Sequence, residues 1–434
     1  MMTISDASTP VVVLGAHHHG ALGIARSLGR LGVPVHMVEC DAQAPALASR
    51  YCASSHVWNF DGNAQEDSIA FLGDLRRKIA RPAILIPTTD SGALLVAAHA
   101  EELQGWYRFP RIPYELARSL CSKRDMHHLA RRAGIPIPNA FFPNTEREAM
   151  EFAESARFPI MMKTVEAWHR PSRPRLMTKA IVHGNRELCE QFRRMADEDS
   201  PNLMLQEYIL GDETTSWMFN GYFDERSNCL FGITGRKIRQ NRPYAGVTSL
   251  GECVDNREVA ALTATFMRAI GYRGILDIGY RFDERDGQYK VFDVNPRIGC
   301  TFRLFVADNG MDVARSLYCN LTGQAVERGS ICEGRKWVVG NLDLASSVRY
   351  WQDGNLTAME WLRSFRGVRE CAYAASDDPR PFFSMGMGYV RAIARGLGRQ
   401  SGPHPDVRPV ELAQETKTES EMPPAVALDR HRPE

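Results

Sequence analysis

The sequence predicts an α/β protein in which an N-terminal, Rossmann-like parallel α/β domain precedes a larger unit of strands and helices. Two observations carry this. Residues 10–112 alternate short β-branched runs with amphipathic stretches, the pattern of strands joined by crossover helices in a parallel sheet. A second unit begins near Pro113, and two of its strand-like runs, at 275–282 and 290–294, are separated by a single turn and so pair as a hairpin.

In the first domain, Val11–Leu14, Val35–Glu39 and Ala83–Ile86 read as strands, and Gly20–Leu31, Ile69–Ala80 and Val96–Leu103 as helices. The loop Gly15–Gly23 has glycines for a tight turn and opens a helix whose N-terminus favours an anion. Its spacing is not Gly-x-Gly-x-x-Gly, which argues against NAD. His17–His19 suit a polar loop at a substrate cleft, since three consecutive histidines cannot all face one ion. Thr88-Thr-Asp90 follows a strand, where open α/β sheets place ligands.

In the second unit, Leu116–Ala133 is helical and ends at Gly134-Ile-Pro-Ile-Pro138, a helix stop followed by extended chain. Glu146–Arg157, Arg186–Met195, Arg257–Ile270 and Val313–Leu321 are further helices. Ile160–Lys163, Leu176–Val182, Leu203–Ile209, Phe231–Thr234, Ile275–Phe282 and Lys290–Val294 are strands. Trp168–Arg175, with two prolines and three arginines, reads as a mobile loop. The pattern weakens beyond 330, although Val348–Trp351 and Met359–Phe365 look ordered. Residues 399–434, rich in Pro, Glu, Arg and Ser, read as a disordered tail.

The 434 residues suffice for about three domains. With 53 basic and 52 acidic residues there is no imbalance pointing to nucleic acid or a membrane surface. No apolar run approaches the roughly 20 residues that span a bilayer, and the polar N-terminus lacks the regions of a signal peptide. Ten cysteines without a Cys-x-x-Cys pair suggest buried thiols in a reducing cytoplasm. A homo-oligomer stays open. No Gly-x-Ser-x-Gly elbow or Cys–His pairing supports a covalent nucleophile.

The chemistry concentrates in Lys290-Val-Phe-Asp-Val-Asn-Pro-Arg297. Asp293 and Asn295, two apart on a strand, project from one face. A hairpin turning at Asp283–Gly287 brings Asp277 beside them. Two carboxylates and an amide oxygen suit Mg²⁺ held partly by nucleotide phosphates. Pro296 stops the strand and leaves Arg297 next to the cluster.

Taken in order, these motifs resemble the ATP-grasp superfamily over roughly residues 10–325, and within it carboxylate–amine ligases of the D-aspartate ligase kind. The resemblance implies a two-lobed ATP-grasp domain at 113–330, with a small lobe at about 138–204, after an N-terminal domain at 1–112. An extension at 331–398 and the tail follow. It implies ATP and two Mg²⁺ ions as cofactors, with Mn²⁺ as a substitute metal, and small-molecule carboxylate and amine substrates. Asp293, Asn295 and Asp277 would hold metal, and Arg297 would face the transferring phosphate. Lys123 and Lys163 resemble the two cationic positions over the phosphates. Gln206-Glu-Tyr-Ile209 resembles the hinge strand, with Gln206, Glu207, Tyr208 and Ile209 around adenine and Glu213 on the ribose. Lys237, in Gly235-Arg-Lys-Ile-Arg239, would meet the γ-phosphate or a substrate carboxylate, and Arg303 would bind that carboxylate.

Two departures stand out. Gly279 occupies the usual place of a metal-binding Glu, with Asp277 as substitute, and the 168–175 loop has arginines in place of glycines. The reading is an ATP-dependent carboxylate–amine ligase. The alternative these departures keep is a regulatory module that binds ATP without turnover.

Overall fold

The computed structural model describes residues 3–166, 179–196, 201–211, 213–244 and 246–394. The predicted 168–175 loop and the predicted tail lie outside them.

The first sheet is parallel. It contains β1 (Val11–Leu14), β2 (Val35–Glu39), β3 (Cys52–Val57), β4 (Ala83–Pro87) and β5 (Tyr107–Arg108), in the order β3-β2-β1-β4-β5. The Val-rich β1 is central and fully buried, as a strand covered on both faces must be. Strand order reverses between β1 and β4, so a crevice opens past their carboxyl ends. Gly15 sits there at φ +83°, and a Cβ on it would lie 3.1 Å from the Thr88 hydroxyl. The helix predicted at 96–103 is instead split as Asp90–Ala98 and Ala100–Leu103.

The second sheet is antiparallel and builds a small lobe. Its strands are β6 (Ala140–Phe141), β7 (Ile160–Thr164), β8 (Lys179–Val182) and β9 (Leu203–Glu207), ordered β6-β9-β7-β8. Alternation sends Ile160, Met162, Val182, Leu203 and Leu205 into a core with the helices Glu146–Ser155 and Asn185–Met195. Among the described residues, that core contains none from outside the lobe. Met161, Lys163 and Gln206 therefore face the other way.

The third sheet contains β10 (Ser216–Phe223), β11 (Cys229–Asn241), β12 (Val247–Cys253), β13 (Gly274–Asp283), β14 (Gln288–Asn295), β15 (Lys336–Val338) and β16 (Val368–Cys371). Their order is β14-β13-β10-β11-β12-β15-β16, and only the β15–β16 pair is parallel. β15 and β16 come from the predicted extension, so position 330 is no structural boundary: the chain beyond it completes this sheet. Tyr222, Phe302 and Trp337 share one core with Val11 and Val13, which ties the sheet to the N-terminal domain.

The predicted helix 116–133 is two helices, Tyr114–Cys121 and Lys123–Arg132. Ser122 breaks them. Its backbone is extended and its hydroxyl accepts from Asp125 N at 3.3 Å, capping the second helix.

Candidate active site

The second and third sheets face each other across a cleft of about 370 Å³, within the usual range for small-molecule pockets. Its floor is the β13–β14 hairpin. Asp277 stands directly across from Asn295, and Gly279 across from Asp293, so all four share one face. The Asn295 amide donates to Asp293 Oδ2 at 3.2 Å and to the Asp277 carbonyl at 3.3 Å.

Gly279 has a local cause. Pairing shifts by one residue between Gly279 and Tyr280, leaving Phe292 as a bulge. A Cβ on Gly279 would lie 2.8 Å from the Phe292 ring, so that ring fills the space a glutamate would need. The Lys163 ammonium lies 5.6 Å from the centre of the same ring.

Cations oppose this floor. Lys123, the first residue of its helix, puts Nζ 3.8 Å from Asp293 Oδ1. Asp293 keeps 42% of its side chain accessible, so the pair leaves room for another ligand. Lys163 on β7 donates to Gln206 Oε1 at 2.7 Å, and Lys179 stands directly across from it on β8. Lys237 on β11 donates to the Gly246 carbonyl at 3.1 Å. Burial, with Lys123 nearby, pushes Lys163 down to about 7. Burial, with Lys179 nearby, pushes Lys237 down to about 8. Burial raises the Asp277 carboxyl. It pushes Asp293 the same way, but Lys123 and Lys163 outweigh it and hold that carboxyl below its ordinary value.

Arg297 joins the cleft to the N-terminal domain. Its Nε donates to Asp90 Oδ1 at 2.9 Å and its Nη2 to Asn295 Oδ1 at 3.1 Å, while Nη1 lies 3.9 Å from Asp277 Oδ2. Burial opposes its charge, but Asp90 and Asp277 hold its pKa above the usual arginine value.

Eleven predicted residues line the cleft: Lys123, Lys163, Gln206, Glu207, Tyr208, Ile209, Lys237, Asp277, Asp293, Asn295 and Arg297. The Gln206 side-chain oxygen accepts from Lys163 and keeps a second lone pair for another donor. Arg303 is a correction. It does not line the cleft; it is buried, donates to both Glu370 oxygens at 2.9 and 2.7 Å, and pairs closely with Asp312. A substrate carboxylate would have to displace an acid already seated there. Glu213 opens a short 3₁₀ turn, and its side chain lies outside the described residues.

Sequence reasoning missed Lys179, Arg281 and Tyr244, all of which line the cleft. Arg281 continues the period-two series 277, 279, 281, which could have revealed it; its guanidinium lies 4.9 Å from the centre of the Tyr208 ring. Tyr244, at φ +68°, is anchored through its hydroxyl to Asp353 at 3.2 Å and Asn355 at 2.8 Å. No local pattern pointed to that contact.

The oxygen donors fit magnesium arriving with phosphate. Among the described residues there is no group of three His, Cys, Asp or Glu that could hold an ion unaided. Two carboxylates and an amide oxygen, facing several cations, match an ion whose remaining ligands are phosphate and water. Asn220, directly across from Asp277 on β10, is fully buried, and its side-chain amide partly offsets the burial of that carboxylate.

An N-terminal parallel domain, a separately cored small lobe and a large antiparallel sheet with acids on its terminal hairpin make up the ATP-grasp fold, and the chain has that fold. It is 24% identical over 326 residues to the D-aspartate ligase of Enterococcus faecium (strain Aus0004), across 73% of this chain and 77% of that protein. Among solved structures, N5-carboxyaminoimidazole synthetase from Staphylococcus aureus complexed with ADP matches with a TM-score of 0.59 at 13% identity, covering 77% of this chain and 82% of that one. L-amino acid ligase from Bacillus licheniformis matches with 0.58 at 15% identity, covering 76% and 79%. No family model matches the chain.

Proposed function

We propose that the protein is an ATP-dependent carboxylate–amine ligase. A substrate carboxylate oxygen attacks the γ-phosphorus of ATP, the bond to the β-phosphate oxygen breaks, and ADP leaves. The amine nitrogen then attacks the acyl phosphate carbon. The carbon–oxygen bond to phosphate breaks, the amine gives up a proton, and amide and phosphate result. Such transfers need chiefly positioning and charge neutralisation.

The observation that carries this reading is the meeting of Asp277, Asp293 and Asn295 with Lys123, Lys163 and Lys237 across one cleft. Asp293 and Asn295, with Asp277, would hold Mg²⁺, which when bound offsets phosphate charge. Lys123, Lys163 and Lys179 would grip the phosphates. Arg297, held by Asp90 and Asn295, would direct its remaining N–H groups at the transferring group. The strand Gln206–Ile209 would border adenine, and Glu213 would take the ribose. The likeness to D-aspartate ligase makes amino-acid carboxylates the first acids to test.

The test is ADP formation in a matrix of amino acids and amines, with hydroxylamine added to trap an acyl phosphate as a hydroxamate. The ligase reading expects ADP that depends on the acid, and a hydroxamate with hydroxylamine. ATP bound but never hydrolysed by any pairing, across a broad panel, would favour a binding module instead.

A further inference from the structure

The near-equal totals of acidic and basic residues conceal a local surface of different character. Ten of the fourteen exposed large apolar side chains among the described residues lie between Leu344 and Val390. They sit on three helices, Gly340–Gln352, Ala358–Ser364 and Arg380–Ala394. Leu344, Val348 and Trp351 recur at i, i+4 and i+7, a single face of the first helix, and Phe383, Met387 and Val390 do the same on the third. Trp351 is 67% exposed and Phe383 65%. The helices are tied together at the first turn of Gly340–Gln352: Asn341 donates to the Tyr389 hydroxyl at 2.8 Å, and the Trp361 indole donates to Asp343 at 3.1 Å. The exposed side chains thus belong to adjoining elements.

Charge on this surface is one-sided. All six acids between Gly340 and Ala394 are engaged within the protein. Asp343 pairs with Arg239, Asp353 with Arg349, Glu370 with Arg303, Asp377 with Arg30 and Asp378 with Arg26, while Glu360 caps its own helix at Thr357. Arg363, Arg366, Arg369, Arg380 and Arg391 are exposed and have no ion pair among the described residues.

We propose that these three helices dock the protein on an anionic lipid bilayer. Aromatic and aliphatic side chains would enter the headgroup boundary, and the arginines would meet lipid phosphates, the arrangement of a helix lying in a membrane surface. A second copy of the chain fits less well: meeting face to face, it would bring the same arginines and no free acid. No described helix is long and apolar enough to cross a membrane, so the contact is peripheral.

Flotation of the full chain with lipid vesicles tests this. Binding is expected to vesicles of phosphatidylcholine with phosphatidylglycerol, not to phosphatidylcholine alone, and to weaken as salt is raised. Trp351→Asp and Phe383→Asp, on exposed positions, should each weaken binding about tenfold with unchanged circular dichroism. Arg366→Glu with Arg369→Glu should do the same through charge alone. Absence of binding to anionic vesicles at low salt would overturn the proposal, as would variants that bind like the parent. So would a dimer that Trp351→Asp converts to a monomer, or retention on nucleic acid without binding to vesicles. None of these readouts depends on ATP or on the ligase reading.

Discussion

Lys163 and Lys179 stand directly opposite each other on β7 and β8, two cations on one face of the small lobe. Like charges in that relationship destabilise a sheet, and the pair becomes favourable once an anion lies between them. It is the most local indication of what the cleft receives.

Lys163→Ala should weaken ATP binding by about 2 kcal/mol, the scale of a lost hydrogen bond to a charged group. Lys179→Ala should weaken it less, because Lys179 is exposed. Titration calorimetry reads both. Unchanged affinity in the two variants would put the nucleotide elsewhere.

Binding should also take up protons. With Lys163 at about 7 and Lys237 at about 8, both lysines are charged well below these values, and Lys163 is mostly neutral near pH 8. A triphosphate beside them raises both values. Uptake attributable to these lysines should therefore be absent in acid and approach about one and a half protons per ATP near pH 8. Calorimetry in buffers of different ionisation enthalpy measures it. A Lys163→Met protein that takes up as many protons as the parent would contradict this assignment.

The metal floor makes a graded prediction. Asp293→Ala should remove ATP turnover with the fold retained, whereas Asp277→Ala should lose less and recover partly at raised Mg²⁺. Gly279→Glu should be harmful alone, since its side chain meets the Phe292 ring, and should improve when combined with Phe292→Ala. If Gly279→Glu alone raises turnover, the ring is not what excludes an acid there.

How far the sequence reveals this site depends on how local each cause is. The alternation around Asp293 and Asn295, with a turn at the right distance, sufficed to place Asp277 beside them. The Phe292 bulge that explains Gly279 leaves no trace in periodicity. Ser122 was legible in principle as a cap, but the apolar pattern runs through it and hides the break. β15 and β16 are three and four residues long, too short to register as strands. Arg303 misled because an arginine soon after the acidic motif looks available. The residue that occupies it, Glu370, is 67 positions away, where sequence distance conveys nothing.

Arg303→Ala should accordingly act on stability. It takes one guanidinium from two buried acids, Glu370 keeping Arg335 at 3.0 Å and Asp312 keeping Ser27 at 2.5 Å, a loss of about 3 kcal/mol. A thermal melt should show a marked fall in midpoint, while protein that remains folded binds ATP as before. A stable Arg303→Ala enzyme with only a raised KM for the acid would restore the substrate role.

Bound as proposed, Mg²⁺-ATP bridges the separately cored small lobe, through Lys163 and Lys179, to Asp293 and Asn295 on the large sheet. Bridging should shift the lobes towards closure and suppress local opening of β7 and β8. Amide hydrogen exchange, with and without nucleotide, measures this in the purified protein and needs no knowledge of the substrate. Slower exchange is expected at residues 160–164 and 179–182 with Mg²⁺-ATP, and a smaller effect with ATP alone. Identical exchange in all three conditions, at nucleotide concentrations where binding is independently demonstrated, would contradict it.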